Sequence, residues 1–222
     1  MSWESSLEYY RIVNESVKEH LGGLHSAKCL MHSVDFAEIE VLQREGRWAE
    51  ATQAMIDAAR HVEAGGADFV IICTNTMHKM ATEVQKSIGI PLLHIADATG
   101  EVVKARELHK IGLLGTKFTM EEDFYRGRLV EKHGLEVIIP EAADRAIVHQ
   151  VIYGELVLGK INLASKADYL RIIENLVRQG AEGIILGCTE IGLLVKDTDS
   201  RVPLFDTTRI HALAAVKYAL TE

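Results

Sequence analysis

Gly66-Ala-Asp-Phe-Val-Ile-Ile-Cys73-Thr74 returns in the second half of the chain as Gly180-Ala-Glu-Gly-Ile-Ile-Leu-Gly187-Cys188. Both runs open on a glycine, become continuously apolar and end on small side chains. A run that is apolar without alternation reads as a strand buried on both faces, as in a parallel sheet. Each continues through a helical pattern to a second short strand, Ile90-Pro-Leu-Leu-His94 against Val202-Pro-Leu-Phe-Asp206. Two further matches keep the same order, Tyr10-Arg11 with Tyr125-Arg126 and Gly23-Leu24 with Gly134-Leu135. Repetition on this scale implies two similar supersecondary units.

Working outward, candidate strands are Ser26–Val34, Asp68–Ile72, Pro91–Ile95, Lys110–Gly115, Leu135–Ile139, Gly183–Leu186 and Val202–Phe205. Helical periodicity fills the gaps, notably Trp48–Ala64, Glu121–His133, Ala142–Leu158 and Ala164–Gln179. The alternation predicts α/β architecture: two three-layer halves with mostly parallel sheets, related by pseudo-two-fold symmetry. Residues 1–96 with 206–222 form the expected first half and 97–205 the second, with the active site between them. By the repeat, Thr116 corresponds to Met1. The counterpart of the strand Ile111–Gly115 is therefore expected to be missing from the first half, or its place taken by another segment.

Composition narrows the function. The 222 residues are 48% hydrophobic, enough for a substantial core. Asp plus Glu number 32 against 24 Lys plus Arg, a net charge of −8 with no basic block, which argues against nucleic acid as a partner. No apolar run approaches a membrane span. The opening Met1-Ser-Trp-Glu-Ser-Ser has neither the basic start nor the apolar stretch of a signal peptide, and Cys29, Cys73 and Cys188 are too few for a disulfide framework. The expectation is a cytoplasmic protein whose thiols are free for packing or chemistry. The ten histidines show no metal spacing, and Gly112-x-x-Gly115-Thr116 lacks the glycines and lysine of a nucleotide cradle, so neither a metal nor a nucleotide is expected.

Two strand ends carry candidate chemistry, Cys73-Thr-Asn-Thr-Met-His78 and Gly187-Cys-Thr-Glu190. Each sets small polar side chains between a buried strand and a following helix, where free backbone N–H groups favour an anion. Ligands of open α/β sheets bind beyond the carboxyl ends of the strands, and two such ends can face each other across a cleft. These motifs resemble those of the aspartate/glutamate racemase family, which has Cys-Asn-Thr-x-His in its first half and Gly-Cys-Thr-Glu in its second. Gly115-Thr-x-x-Thr119, Asp206-Thr-Thr-Arg-Ile-His211, Met1-Ser-Trp-Glu, His32-Ser-Val-Asp-Phe36 and Phe124-Tyr-Arg126 extend the resemblance over nearly the whole chain.

The resemblance implies inversion of an amino-acid α-carbon by two proton-transfer groups on opposite faces, with no pyridoxal phosphate or other cofactor. It implies that Asn75, Thr76, Thr119 and Thr189 hold the α-carboxylate, joined by Met1 and Ser2, and that Glu190 tunes Cys188 or meets the substrate ammonium. The side-chain carboxylate is gripped in aspartate racemases by basic residues. The matching neighbourhoods here hold Gln43 beside Arg44, and Lys160. A solvated helix face is the alternative at both, and a grip by Gln43 alone implies broader selectivity.

The chain departs from the family at one point. Aligning the first signature sets its cysteine on Thr74, and Cys73 falls one residue early. The repeat agrees, because Gly66 to Thr74 matches Gly180 to Cys188. One residue along a strand turns a side chain to the other face, so Thr74 is expected opposite Cys188, with Cys73 buried behind it. In the family it resembles, the second-half cysteine serves the L-face, so with the unequal pair the resemblance implies that the L-enantiomer is the favoured substrate. Cys29 is expected as core filler within a strand, His78 as a helix-start residue or proton relay, and Asp206 as the cap of the last helix. His32, His94 and His211 are candidates to line the cleft.

Two rivals stay open: a dicarboxylate decarboxylase or cis–trans isomerase on the same scaffold, and a non-catalytic amino-acid-binding module. A binder has no need of the thiol at Cys188. The expected partner is a small amino acid, with a homodimer allowed.

Overall fold

The computed structural model describes residues 1–221. Helices α1 (Trp3–Leu21), α2 (Phe36–Arg44) and α3 (Trp48–Ala64) precede β1 (Val70–Ile71). A 3₁₀ turn over Thr76–Met80 and α4 (Ala81–Ser87) lead to β2 (Leu92–Leu93). The chain continues through α5 (Ile95–Ala105), β3 (Lys110–Gly115), α6 (Lys117–Glu121), α7 (Arg126–His133), β4 (Glu136–Ile138) and α8 (Ala142–Gly154). It ends through α9 (Leu163–Arg178), β5 (Gly183–Gly187), α10 (Ile191–Leu194), β6 (Leu204–Asp206) and α11 (Thr207–Thr221).

The two apolar runs of the repeat become β1 and β5, and their environments match. Strand β1 pairs parallel with β2, Val70 opposite Leu92, as β5 pairs parallel with β6, Ile184 opposite Leu204. Gly66 and Gly180 enter these strands at φ 90° and 95°, a backbone that only glycine adopts freely. The second sheet runs β4-β3-β5-β6 and is parallel throughout. Ile111, Leu113, Leu114, Ile184, Ile185 and Leu186 at its centre are buried, as parallel strands require. Helices α8 and α9 pack on β3, and α11 packs on β5 and β6.

Around β1 a second core gathers Ile39, Met55, Ile72, Met77, Met80 and Val84. A third joins Tyr9 and Ile12 of α1 to Ala212 of α11, with Cys73 against it. The closing helix therefore lies along the first helix, and α5 packs against it as well.

Three expectations need correction. Ser26–Val34 is not a strand: it runs without regular structure, and Leu24, Leu30 and Met31 are exposed. Its counterpart β4 bonds only to β3, and no described strand takes the position of β3 beside β1, so this backbone has no ladder to join. Cys29, expected as core filler there, is exposed. The helix expected over Glu121–His133 breaks into α6 and α7, because Glu122 turns extended (φ −95°, ψ 151°) and the chain bends to bury Tyr125.

Strands β3 and β5 approach closely at their ends, where Gly115 sits opposite Gly187. A Cβ on Gly187 would lie 2.8 Å from the Leu114 carbonyl oxygen and 2.9 Å from Leu113 Cδ1. Gly187→Ala is expected to reduce the unfolding free energy by about 1–3 kcal/mol. The readout is a lower denaturant midpoint at constant slope. Gly154→Ala, whose added carbon would meet nothing within 4 Å, is the control. Equal midpoints for the two variants would contradict the close-approach argument.

Candidate active site

The ends of β1 and β5 converge on one cavity of about 30 Å³. It is lined from the first half by Met1, Ser2, Gln43, Thr74, Asn75 and Thr76. Cys188, Thr189 and Glu190 line it from the second. Thr119 and Lys160 stay outside. Thr119 is buried beneath Thr116, their hydroxyls 3.2 Å apart, because Thr116 caps α6 and draws Thr119 inward. Lys160 lies exposed in the turn before α9, where its ammonium keeps its water. Cys73 packs with Tyr9 and Ile12 rather than lining the cavity, and burial pushes its thiol up to about 11.

The second-half end is built around a carboxylate. Glu190, 4% exposed, accepts from Ser2 Oγ at 2.6 Å on one oxygen. Its other oxygen accepts from Thr189 Oγ1 at 2.6 Å and from Cys188 Sγ at 3.0 Å. Burial first, and the neighbouring Glu190 charge second, hold the Cys188 thiol well above its ordinary range. In the resting site Cys188 is thus a protonated thiol facing a proton acceptor. Ser2 reaches Glu190 because it caps α1, its Oγ also accepting from the Ser5 amide at 3.1 Å. The Met1 nitrogen donates to the Cys73 carbonyl at 3.1 Å and fixes the start of α1 against β1.

The first-half end is held by neutral groups. Thr76 Oγ1 lies 3.0 Å from Thr116 Oγ1 across the halves. Asn75 Nδ2 donates to Thr207 Oγ1 at 3.0 Å, and Thr207 in turn donates to the Leu186 carbonyl at 2.8 Å. That chain leaves Asn75 Oδ1 buried with no partner.

Beneath Thr74 three histidines form a buried group. His78 Nδ1 donates to the Thr74 carbonyl at 2.8 Å, and its Nε2 accepts from the Ile95 amide at 3.2 Å. The ring of His78 stands 4.5 Å from that of His94 and 5.7 Å from that of His211. His211 bonds the Tyr9 hydroxyl and the Leu93 carbonyl, each at 2.9 Å. Burial depresses all three, His94 to about 3 and His211 to about 4, with His78 also well below its usual value. These rings tie strand ends together and do not line the cavity. His32 is also elsewhere, stacked on His61. Asp206 does cap α11, accepting from the Thr208 amide at 2.9 Å.

Sequence reasoning missed Tyr153. It lines the cavity from α8 and donates to Gln43 Oε1 at 2.9 Å across the halves. Its helical periodicity gave only a core position, and nothing in its local sequence marks a cavity residue. Nearby, Trp48 of α3 meets Phe118 of α6 edge-on at 5.0 Å, and Lys79, 4.0 Å above the Trp48 ring, pairs with Glu122 at 2.5 Å. These contacts join α3 and the 3₁₀ turn to α6 and the residue that follows it.

Two parallel-stranded units whose strand ends share one cavity match a known class of isomerase, the amino-acid racemases. The Asp/Glu/Hydantoin racemase family model matches residues 1–215, and the chain belongs to that family. It is 55% identical to a proposed Asp/Glu racemase of known structure from Yersinia pestis, covering 99% of this chain and 96% of that one at a TM-score of 0.92. An aspartate racemase homologue from Pyrococcus horikoshii is 33% identical, covering 99% and 95% at a TM-score of 0.83. The broad specificity amino-acid racemase RacX of Bacillus subtilis is 27% identical over 75% of this chain and 71% of its own length.

Two outcomes follow from the electrostatics. Glu190→Gln removes the charge facing Cys188, so the thiol should ionise at lower pH and alkylate faster at pH 8. Mass spectrometry of iodoacetamide-treated protein separates Cys188 from the other cysteines; slower or unchanged alkylation would contradict the assigned contact. The histidines, depressed when folded, take up protons on unfolding. Their stabilisation is complete above about pH 6.5, the unfolded value, and is lost as pH falls towards 4. Between pH 4.5 and 6, His211→Gln should remove up to one proton from that dependence, about 1.4 kcal/mol per pH unit. An unchanged slope of unfolding free energy against pH would count against it.

Proposed function

We propose that this chain is a racemase of acidic amino acids, aspartate and glutamate, that works without pyridoxal phosphate and serves the L-enantiomer best. Thr74 and Cys188 act on opposite faces of the α-carbon. The observation that carries this reading is that both line one cavity, each at the end of a repeated strand. In this reading residues 1–96 together with α11 make one unit and 97–205 the other, supported by the packing of α11 along α1. The substrate lies between them.

The resting thiol sets the order of steps. Glu190 accepts the Cys188 proton along the 3.0 Å hydrogen bond, leaving a thiolate. The thiolate removes the α-proton of the L-enantiomer. The charge that develops on the α-carboxylate is met by the hydroxyls of Thr76 and Thr189. The unpartnered Asn75 Oδ1, which can only accept, receives the substrate ammonium rather than the carboxylate. Delivery of a proton from the Thr74 side completes inversion. Thr74 regains its own from water, and the hydroxide so formed takes the proton held by Glu190, which restores the resting site. A threonine hydroxyl is a far weaker acid than a thiol, so this face limits the rate.

The test is α-deuterium uptake from D₂O by L- and D-aspartate and glutamate, read by NMR without added cofactor. Deuterium should enter the L-forms faster than the D-forms. Cys188→Ser should slow L-exchange by about 10³ or more, while Cys73→Ser changes stability more than rate. Thr74→Cys should raise exchange of the D-enantiomer on the order of tenfold. Equal wild-type exchange of L- and D-aspartate would sink the unequal pair.

A further inference from the structure

Gln43 and Tyr153 meet across the cavity in a way that leaves capacity unused. Gln43, 4% exposed, accepts from Tyr153 at 2.9 Å, but its NH₂ group meets only the sulfur of Met77 at 3.0 Å. A thioether is a weak acceptor, so both amide protons are poorly spent. Burial, then the charges of Cys188, Glu40 and Glu190, push the Tyr153 phenol upward, and it keeps its proton. None of the residues lining the cavity carries a cationic side chain, and the Met1 nitrogen is engaged with the Cys73 carbonyl. Phe36, Ile152 and Val157 complete the wall on apolar carbon.

We infer that Gln43 and Tyr153 form a neutral side-chain subsite, which takes a carboxamide as well as a carboxylate, so that asparagine and glutamine are substrates beside aspartate and glutamate. The inference rests on the racemase reading. An arriving side chain displaces the Gln43–Tyr153 bond, and each partner then bonds the substrate, so the number of hydrogen bonds does not fall. Towards a carboxylate both groups donate. Towards a carboxamide, Tyr153 and one Gln43 proton donate to the oxygen, and Gln43 Oε1 accepts from the nitrogen. A cationic grip accepts only the first pattern. A charged acceptor strengthens a hydrogen bond to a neutral donor about twofold, but a carboxylate also costs more to draw out of water. The two effects oppose each other, which leaves the two substrate classes close.

The experiment measures kcat/KM for α-deuterium exchange with L-aspartate, L-asparagine and L-alanine. In wild type, L-asparagine should fall within about tenfold of L-aspartate. Tyr153→Phe removes one donor, and should reduce the aspartate-to-alanine and asparagine-to-alanine ratios by about tenfold each. Gln43→Glu sets a carboxylate in the subsite, which repels aspartate and accepts from the asparagine nitrogen, so asparagine should become the better substrate. Asparagine inert beside active aspartate would overturn the inference and point to a cation reaching in. Ratios unchanged in Tyr153→Phe, with all three rates lower together, would overturn it as a merely structural effect. A wild type inert towards every amino acid defeats the racemase reading, and this inference with it.

Discussion

A buried carboxylate must collect hydrogen bonds, and Glu190 collects three, from Ser2, Thr189 and Cys188. Much of the site's arrangement follows from that need. Ser2 can supply its hydroxyl only if α1 begins at the mouth of the cavity, which sets the helix against β1 and lays α11 along it. Thr189 and Cys188 can supply theirs only if β5 ends where it does. The same three bonds that satisfy the carboxylate hold the Cys188 thiol against it.

The repeat is symmetric in backbone and asymmetric in chemistry. Thr74-Asn75-Thr76 occupies the positions of Cys188-Thr189-Glu190, so the first half lacks both members of the thiol–carboxylate pair. Its polar groups are instead held by neutral partners: the Thr74 carbonyl by His78, Asn75 by Thr207, and Thr76 by Thr116. A thiol installed at Thr74 would stand without the acceptor that Cys188 enjoys.

Much of this was legible in the amino-acid sequence, for definite reasons. Helix α3 and strand β3 begin and end where their apolar patterns do, because periodicity reports burial directly. The placing of Thr74 rather than Cys73 in the cavity could be read from the repeat, since one residue along a strand changes face. Ser26–Val34 misled because its apolar residues and its place after Gly23-Leu24, which matches Gly134-Leu135 before β4, signal a strand, whereas a strand also needs a neighbour to bond. The elevated Cys188 thiol was hidden because a helix N-terminus nearby suggests the reverse, and only coordinates reveal that Glu190 turns back onto the sulfur. Lys160 stays outside because it lies in an exposed turn before α9, whereas α8 turns Tyr153 into the cavity.

The cavity's 30 Å³ has room for about two or three water molecules and not for an amino acid. Contacts tie the elements on its two sides together: Gln43 with Tyr153 in the wall and, outside it, Trp48 with Phe118 and Lys79 with Glu122. An amino acid therefore fits only if the cavity walls move apart, and motions of that kind set the pace of many enzymes. A viscous medium would then slow the enzyme even where its proton transfers are fast. Conversely, any small molecule that fills the gap would clamp the units together and raise the temperature at which the protein melts, by mass action alone.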